Sequence, residues 1–203
     1  MSNYKQIDLG KVRTISIRSR TSKVSPRDFA KVFDPGKDSF SDFVASLPHF
    51  LVADDMRRFV DNVVKSRRRG KPVVALIGAH VVKVGLSPLM IDMLARKIIS
   101  AVGMNSAAAI HDVETALFGT TSEDVEANLA GGKFGMSKET GDFINGTLAA
   151  GMEHGTAGYG EVVGKALQKA PNKRLSILAT CYRLNIPVTV HAAIGTDIIN
   201  QQP

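Results

Sequence analysis

A histidine and a glutamate three residues apart are the strongest candidates for chemistry in this sequence. Within the stretch Ile110-His-Asp-Val-Glu114, His111 and Glu114 share one face of a helix, whereas Asp112 points elsewhere. Imidazole titrates near neutral pH and a neighbouring carboxylate adjusts it, so this pair suits general acid and base catalysis. An ordinary helix also accounts for the pattern, with the acids at its positive end and one hydrogen bond for His111.

Two further histidines fall at predicted strand ends and raise metal binding as an alternative. A metal-dependent hydrolase would draw on a set suited to zinc or iron, namely His80, His111, Glu114 and His191. No spacing resembles His-Glu-x-x-His or a paired cysteine motif, so we expect no metal site. The single cysteine, Cys181, lies mid-helix among apolar residues, where packing is the ordinary role.

The elements that must position these residues alternate between strand and helix. The apolar run at 72–78 is typical of a strand buried on both faces of a parallel sheet, and further strands are predicted at 98–104 and 186–193. Three strands alternating with helices predict an α/β fold with right-handed crossovers. Helices are predicted at 54–69, from Ser87, at 107–117, 121–130 and 137–150, after a glycine-rich hinge at 151–160, and at 173–184.

Ligands of open parallel sheets bind beyond the carboxyl ends of the strands. At those ends this sequence places Gly78-Ala-His80, then Asn105-Ser106, and finally Thr196-Asp197. It has no Gly-x-Gly-x-x-Gly after a strand and no Walker-type loop, so the glycines alone do not demonstrate nucleotide binding.

Residues 1–48 read as a basic arm with a short strand at 12–17 and a helix at 26–33, and residues 49–203 as one α/β domain. Because the chain stops before another crossover, we expect that domain to be incomplete at its C-terminus. The net charge is +7, and positive residues cluster in 1–37 and in 57–71. A non-catalytic module that binds a polyanion is therefore an alternative. No aromatic platform of the kind that binds RNA interleaves with these basic residues, so a nucleic-acid partner is not expected.

The composition is that of a folded globular chain, with 44% hydrophobic and 22% charged residues. The one cysteine forms no intramolecular disulfide, and neither a leader nor a membrane-length apolar run is evident. We therefore expect a cytoplasmic protein without membrane association.

Three stretches resemble the deoxyhypusine synthase family and its bacterial relatives. They are Gly78-Ala-His-Val-Val-Lys-Val-Gly-Leu-Ser-Pro88, Ala101-Val-Gly-Met-Asn-Ser-Ala-Ala-Ala-Ile-His-Asp-Val-Glu114 and Ile186-Pro-Val-Thr-Val-His-Ala-Ala-Ile-Gly-Thr-Asp197. The stretch Ala109-Ile-His-Asp-Val-Glu114 is also similar to the dinucleotide-binding part of lysine-oxoglutarate-reductase-like and ornithine cyclodeaminase-type proteins.

The resemblance implies a Rossmann-like, NAD-binding domain that forms a homotetramer with active sites at the subunit interfaces. It implies an NAD-dependent enzyme, of transferase or lyase type, that acts on an amine or amino-acid substrate. His111 would be the acid and base, Glu114 and Asp197 would hold the amine or the ribose, and His191 would orient the ring. The cofactor-binding residues would be Gly78, Ala79, His80, Asn105, Ser106, Ala107, Thr196 and Asp197.

This sequence departs from the family pattern in three respects. Asn105-Ser-Ala-Ala108 replaces glycines, His111-Asp-Val-Glu114 replaces a run of acids, and the family's imine-forming lysine belongs to a C-terminal region that this sequence lacks. An enzyme of this kind without the lysine is expected to oxidise and eliminate, or cleave, rather than transfer.

Overall fold

The computed structural model describes residues 4–153, 155 and 157–202. Two residues of the predicted hinge at 151–160, numbers 154 and 156, therefore lie outside the described residues. In chain order the elements are α1 (Phe40–Ser46), α2 (Leu51–Arg68), β1 (Val74–Ile77), α3 (Ala79–Lys83), α4 (Ser87–Ala95), β2 (Ala101–Asn105), α5 (Ser106–Phe118), α6 (Val125–Leu129), α7 (Lys138–Glu153), α8 (Tyr159–Ala166), α9 (Ile177–Leu184) and β3 (Val188–His191).

The chain divides into two compact units, Met1–Asn62 and Val63–Pro203. In the first unit, α1 begins at a capping box in which the Asp42 carboxylate accepts hydrogen bonds from the backbone and the hydroxyl of Ser39. The Arg57 guanidinium donates to carbonyl oxygens at the end of α1, those of Val44, Leu47 and Pro48. Side chains thus satisfy both ends of this short helix.

Two predictions for the N-terminal segment are wrong. In place of the strand at 12–17 the chain forms separate 3-10 turns at Leu9–Lys11 and Ile17–Ser19, and the helix at 26–33 is reduced to the turn Pro26–Asp28. Ile15 remains 75% exposed, so the alternating apolar residues have no second strand against which to pack. Helix α1 was not predicted, and α2 begins at Leu51, before its predicted start at residue 54.

The second unit is built on a parallel sheet of three strands, as predicted, and the strand order is β1-β2-β3. Val74 of β1 lies opposite Ala101, and Val102 of β2 lies opposite Val188. The chain is therefore an α/β protein with a small parallel sheet and flanking helices. Among the described residues, no helix combines the length and the apolar composition needed to cross a membrane.

The expectation that β1 is buried on both faces is wrong. Leu76 shares a row with Gly103 and Thr189 and is 81% exposed, whereas Met104 on the opposite face is 2% exposed. Successive side chains of a strand point to opposite faces, so one face of this unit's sheet carries the core and the other is open within the unit.

The core lies between the covered face of the sheet and helices α5, α8 and α9. Its fully enclosed side chains include Leu94, Val102, Met104, Val113, Val163, Leu167, Ile177, Leu178 and Cys181. The predicted packing role of Cys181 is confirmed, since its side chain is buried, and burial raises the pKa of the thiol to about 12. The thiolate needed for nucleophilic chemistry is thus disfavoured.

Two glycines let α8 approach its neighbours closely. A Cβ atom at Gly160 would collide with the carbonyl oxygen of Val188 in β3, and one at Gly164 would lie 2.7 Å from the carbonyl oxygen of Leu178 in α9. Backbone atoms cannot move aside as a flexible side chain can. Glycine at these positions therefore sets the distance between α8 and the rest of the core.

Replacing Gly164 with alanine is expected to lower the free energy of unfolding by about 2 kcal/mol, because the added methyl group overpacks the α8–α9 contact. The matched control is Gly146→Ala in α7, where a Cβ would meet no atom within 4 Å. There alanine is expected to raise stability by about 0.5–1 kcal/mol, since it restricts the unfolded chain and favours helix. Urea denaturation measures both, and equal effects would contradict the close approach.

A buried carboxylate joins α5 to α9. Asp112 of α5 is 0% exposed and accepts hydrogen bonds from the Ser176 hydroxyl at 2.6 Å and from the backbone N–H groups of Ile177 at 2.7 Å and Leu178 at 3.0 Å. These are donors at the start of a helix, which have no partners within the helix itself. Burial raises the pKa of Asp112 to about 6, and the three hydrogen bonds oppose that rise.

We expect Asp112→Ala to lower the free energy of unfolding by roughly 3 kcal/mol or more at pH 7, because it leaves three buried donors without an acceptor. The exposed Asp92→Ala is the control and is expected to cost less than about 1 kcal/mol. Since the folded pKa lies above the unfolded value, the protonated Asp112 adds stability that is present below pH 4 and lost as the pH rises through about 6. The difference between wild type and Asp112→Ala in urea should therefore shrink from pH 4 to pH 7, and a difference that grows would contradict the raised pKa.

Candidate functional site

A cavity of about 230 Å³ opens at the carboxyl edge of the sheet, where α5 begins. Five of the residues singled out from the sequence line it, namely Ala107, His111, Glu114, Thr196 and Asp197. The structure therefore brings the predicted pair on α5 together with the loop that follows β3. The remaining wall includes residues that were not predicted, among them Lys83, Ser122, Glu123, Phe134, Ser137, Thr140 and Ile198.

His111 and Glu114 are joined through a threonine. The Nδ1 atom of His111 lies 2.6 Å from Oγ1 of Thr121 and 3.4 Å from Oε2 of Glu114, and the Thr121 hydroxyl donates to that same Oε2. Both His111 and Glu114 are largely buried, with side chains 18% and 17% exposed. The i, i+3 spacing on α5 brings the two side chains together, and the segment after α5 supplies the hydroxyl between them.

The Glu114 carboxylate is held in its charged form. Burial acts to raise its pKa, but hydrogen bonds from His111, Thr121 and Thr140 outweigh burial, so the pKa is lowered. A charged acid among three polar partners costs little to keep ionised, because each partner replaces a lost contact with water. Glu114 is therefore an anion at neutral pH.

This network fixes which ring nitrogen of a neutral His111 carries the proton. A hydroxyl has a single proton, and Thr121 gives its proton to Glu114. The contact between Thr121 and Nδ1 must then be an Nδ1–H donating to the threonine oxygen. In that tautomer Nε2 carries a lone pair and can accept a proton from a ligand.

Replacing Thr121 with valine should weaken this tautomer preference, because it keeps the shape of the side chain but removes the nearer acceptor for Nδ1–H and leaves the Glu114 carboxylate, 3.4 Å from Nδ1. The ¹⁵N chemical shifts of His111 are expected to show Nδ1–H in the wild type and a mixture of tautomers in Thr121→Val. The neighbouring Thr120→Val, at an exposed position, is the control and should leave the shifts unchanged. Wild-type shifts that place the proton on Nε2 would contradict the network.

A second polar contact closes the cavity at the start of α5. The Ser106 hydroxyl donates to the Asp197 carboxylate, and the Asn105 side chain accepts from the backbone N–H of Ala108 at 2.9 Å. Burial, reinforced by the nearby Asp197, raises the pKa of Tyr159 to about 12, so that phenol stays protonated. The helix terminus thus already has a capping side chain and a carboxylate beside it.

This arrangement suits a dinucleotide poorly at the position where the phosphates of NAD are expected. A diphosphate binds to free N–H groups at a helix start, whereas here Asn105 occupies one of them and Asp197 adds a negative charge. NAD binding stays a prediction.

The C-terminal segment forms one wall of the cavity and is tied to α7. The Asn145 side-chain amide donates to the carbonyl oxygens of Ile199 at 3.1 Å and Gln202 at 3.0 Å, and Ile199 is buried. The Gln202 amide reaches the carbonyl oxygen of Gly135 at 3.0 Å. These bonds hold Thr196 and Asp197 in place beside α5.

The other predicted residues lie outside this cavity. His80 is exposed on α3, and Gly78 and Ala79 follow β1 without reaching the cavity wall. His191 is exposed on the open face of the sheet, and its Nε2 atom lies 2.9 Å from Oγ1 of Thr189. His191 was predicted to act in the same site as His111, but only His111 lines the cavity. The role of His191 therefore stays a prediction without structural support.

The residues of the proposed metal set do not converge. Within residues 4–153, 155 and 157–202, no three His, Cys, Asp or Glu side chains are grouped so that they hold a metal ion. His111 and Glu114 form their own network, while His80 and His191 project from other elements. The alternative of a metal-dependent hydrolase therefore has no support.

Comparisons with known proteins give a fold likeness only. No protein-family model matches this chain, and no curated protein matches its sequence. A solved structure of ArgZ, an arginine dihydrolase from the ornithine–ammonia cycle in cyanobacteria, matches with a TM-score of 0.49 and 17% identity over 76% of this chain and 21% of ArgZ. A LOR/SDH protein from Methanococcus maripaludis S2 matches with a TM-score of 0.46 and 17% identity over 88% of this chain and 48% of that protein.

The chain thus spans about a fifth of one matched structure and about half of the other. At 17% identity neither match assigns a function to it.

These findings correct the resemblance to the deoxyhypusine synthase family, which is wrong. The matched structures are an arginine dihydrolase and a LOR/SDH protein, and neither is a deoxyhypusine synthase. The NAD-dependent, deoxyhypusine synthase-like function inferred from that family is therefore wrong as well. The alternative of a polyanion-binding module is not supported either. The three stretches that carry the resemblance form strand ends and helix starts, which are shared by many parallel α/β proteins.

Thr121 and Thr140 are the functional candidates that sequence reasoning missed. The stretch Thr120-Thr-Ser122 was interpreted as the start of a helix at 121–130, whereas α6 begins only at Val125. A signal was present, since three consecutive hydroxyl residues follow closely upon α5 and its histidine.

Proposed function

We propose that the cavity at the carboxyl edge binds a small amine and that His111 acts there as a general base. The observation that carries the proposal is the chain of contacts from Glu114 through Thr121 to Nδ1 of His111. With Nδ1–H held by Thr121, the basic Nε2 is left to take a proton from a bound ammonium group. Glu114 and Thr121 act on the ligand through His111 and are positioning residues.

The charges of the cavity wall favour a cationic ligand. Glu114, Glu123 and Asp197 supply three carboxylates, and Lys83 is the lysine among the lining residues. Glu123 is engaged with the backbone N–H of Gly135, Asp197 lies beside Ser106 at the start of α5, and Glu114 lies further along the same helix. An ammonium group is stabilised beside these acids, and a carboxylate on the same ligand would be stabilised by Lys83.

The size of the cavity also favours a small ligand. Sites for drug-sized molecules usually measure roughly 300–1,000 Å³, and this cavity has about 230 Å³. Ile110, Phe134 and Ile198 give it apolar surface for a short carbon chain. Amines and basic amino acids combine such a chain with the required charge.

The fold adds a second line of support. A Rossmann-like arrangement is part of this proposal, since parallel strands followed by helices place ligands at the carboxyl edge, where the cavity lies. The homotetramer was expected only from the family resemblance, and it stays a prediction. Analytical ultracentrifugation of the full chain tests it.

The test is calorimetric titration of the full chain with L-ornithine, L-lysine and 1,4-diaminobutane. We expect saturable binding of at least one of these amines and at least a tenfold weaker affinity for Glu114→Gln, which removes the charge that holds the His111 network. The matched control is Glu126→Gln, which removes the same charge from an exposed residue of α6 outside the cavity and should change affinity less than twofold.

Comparing the three ligands separates the role of the carboxylates of the cavity wall from the role of Lys83. Lys83→Gln should lower the affinity for L-ornithine and L-lysine. It should leave the affinity for 1,4-diaminobutane unchanged, because that ligand has no carboxylate. The proposal would be contradicted if none of the three ligands showed saturable binding. It would also be contradicted if Glu114→Gln and Glu126→Gln lowered the amine affinity equally. NAD is titrated in the same series to test the expected cofactor.

A further inference from the structure

A second cavity, of about 520 Å³, lies in the same unit between α4, α9 and the turns at Leu167–Lys169 and Lys173–Leu175. The backbone N–H of Asn172, just before the second turn, donates to the carbonyl oxygen of Ala116 near the end of α5. Because α5 begins at the carboxyl edge of the sheet, this cavity lies toward the other end of that helix. It is separate from the site of the proposed amine.

The wall of this cavity is positively charged and contains no acid. It is lined by Ile91, Gln168, Lys173, Arg174, Ala179 and Arg183. Within the described part of the chain, neither Arg174 nor Arg183 forms an ion pair with a carboxylate. Three cations around one space repel each other, and an anion between them would relieve that repulsion.

The surroundings hold part of this cluster in place. The Lys173 ammonium donates to the carbonyl oxygen of Gln168 at 2.8 Å, and the Gln168 amide donates to the carbonyl oxygens of Gly164 at 2.8 Å and Ala179 at 2.9 Å. The turn that carries Lys173 is thus tied, through Gln168, to α8 and α9. A positioned cation loses less freedom on binding than one on a mobile side chain.

We propose that this cavity binds a small molecule that carries a phosphate monoester. A guanidinium group donates two parallel N–H bonds to a phosphate, and a phosphate carries up to two negative charges against the three positive ones of the wall. The apolar side chains of Ile91 and Ala179 provide contact for the carbon part of the ester. The proposal does not depend on amine binding at the carboxyl edge.

Calorimetric titration of the full chain with glycerol 3-phosphate and with inorganic phosphate, at ionic strength held constant with NaCl, tests this site. We expect saturable binding of the ester, tighter than that of inorganic phosphate. Arg183→Gln and Arg174→Gln should each raise the Kd of the ester at least tenfold. Lys169→Gln is the control, since it removes one positive charge from an exposed residue of the neighbouring turn that does not line the cavity, and it should change the Kd less than twofold.

Three outcomes would overturn the proposal. The first is that the ester shows no saturable binding, and the second is that inorganic phosphate binds more tightly than the ester. The third is that Lys169→Gln raises the Kd of the ester as much as the two arginine variants do. If Arg183→Gln fails to fold, Arg174→Gln decides, because Arg174 lies in an exposed turn. Glu114→Gln should leave phosphate binding unchanged, so failure at one cavity is distinguishable from failure at the other.

Discussion

The buried carboxylate of Asp112 is the interaction on which both cavities depend. It is bonded to the first N–H groups of α9, and this contact fixes the rotation of α5 about its axis. Asp112 and Val113 face the core, so the flanking His111 and Glu114 must face the carboxyl-edge cavity. The same contact places α9, whose far end carries Arg183 beside the second cavity. A carboxylate in the core is costly unless its oxygens are satisfied, and here the start of a helix supplies three donors.

The sheet and α5 were predictable from the sequence because their patterns are long and consistent. Apolar runs before and after α5 mark the strands, and Asn105 supplies the cap from which α5 starts. The short elements α1 and α3, of seven and five residues, were missed because so few residues show no clear period. The false strand at 12–17 has the correct alternation, but alternation produces a strand only when a second strand pairs with it.

Tertiary contacts account for the differences at the site. Thr121 was expected to cap a helix, but its hydroxyl is used by His111 and Glu114, and Asp124 caps α6 instead through the N–H of Ala127. A capping side chain accepts a backbone N–H, whereas the Thr121 oxygen accepts from His111 and its proton goes to Glu114. The helix therefore starts later than its sequence suggests. His191 could have been placed correctly, since Val188-Thr-Val-His191 alternates apolar and polar residues and so directs the histidine away from the core.

Local charge is a better guide to ligands in this protein than net charge. The value of +7 suggested a polyanion as partner, yet the cavity beside His111 is lined by three carboxylates and one lysine. Three cations of the same unit, Lys173, Arg174 and Arg183, lie instead around the cavity at the other end of α5, where no acid lines the wall. Opposite charges at the two ends of one helix keep a cationic and an anionic ligand from competing for either site, because each is repelled from the other's cavity.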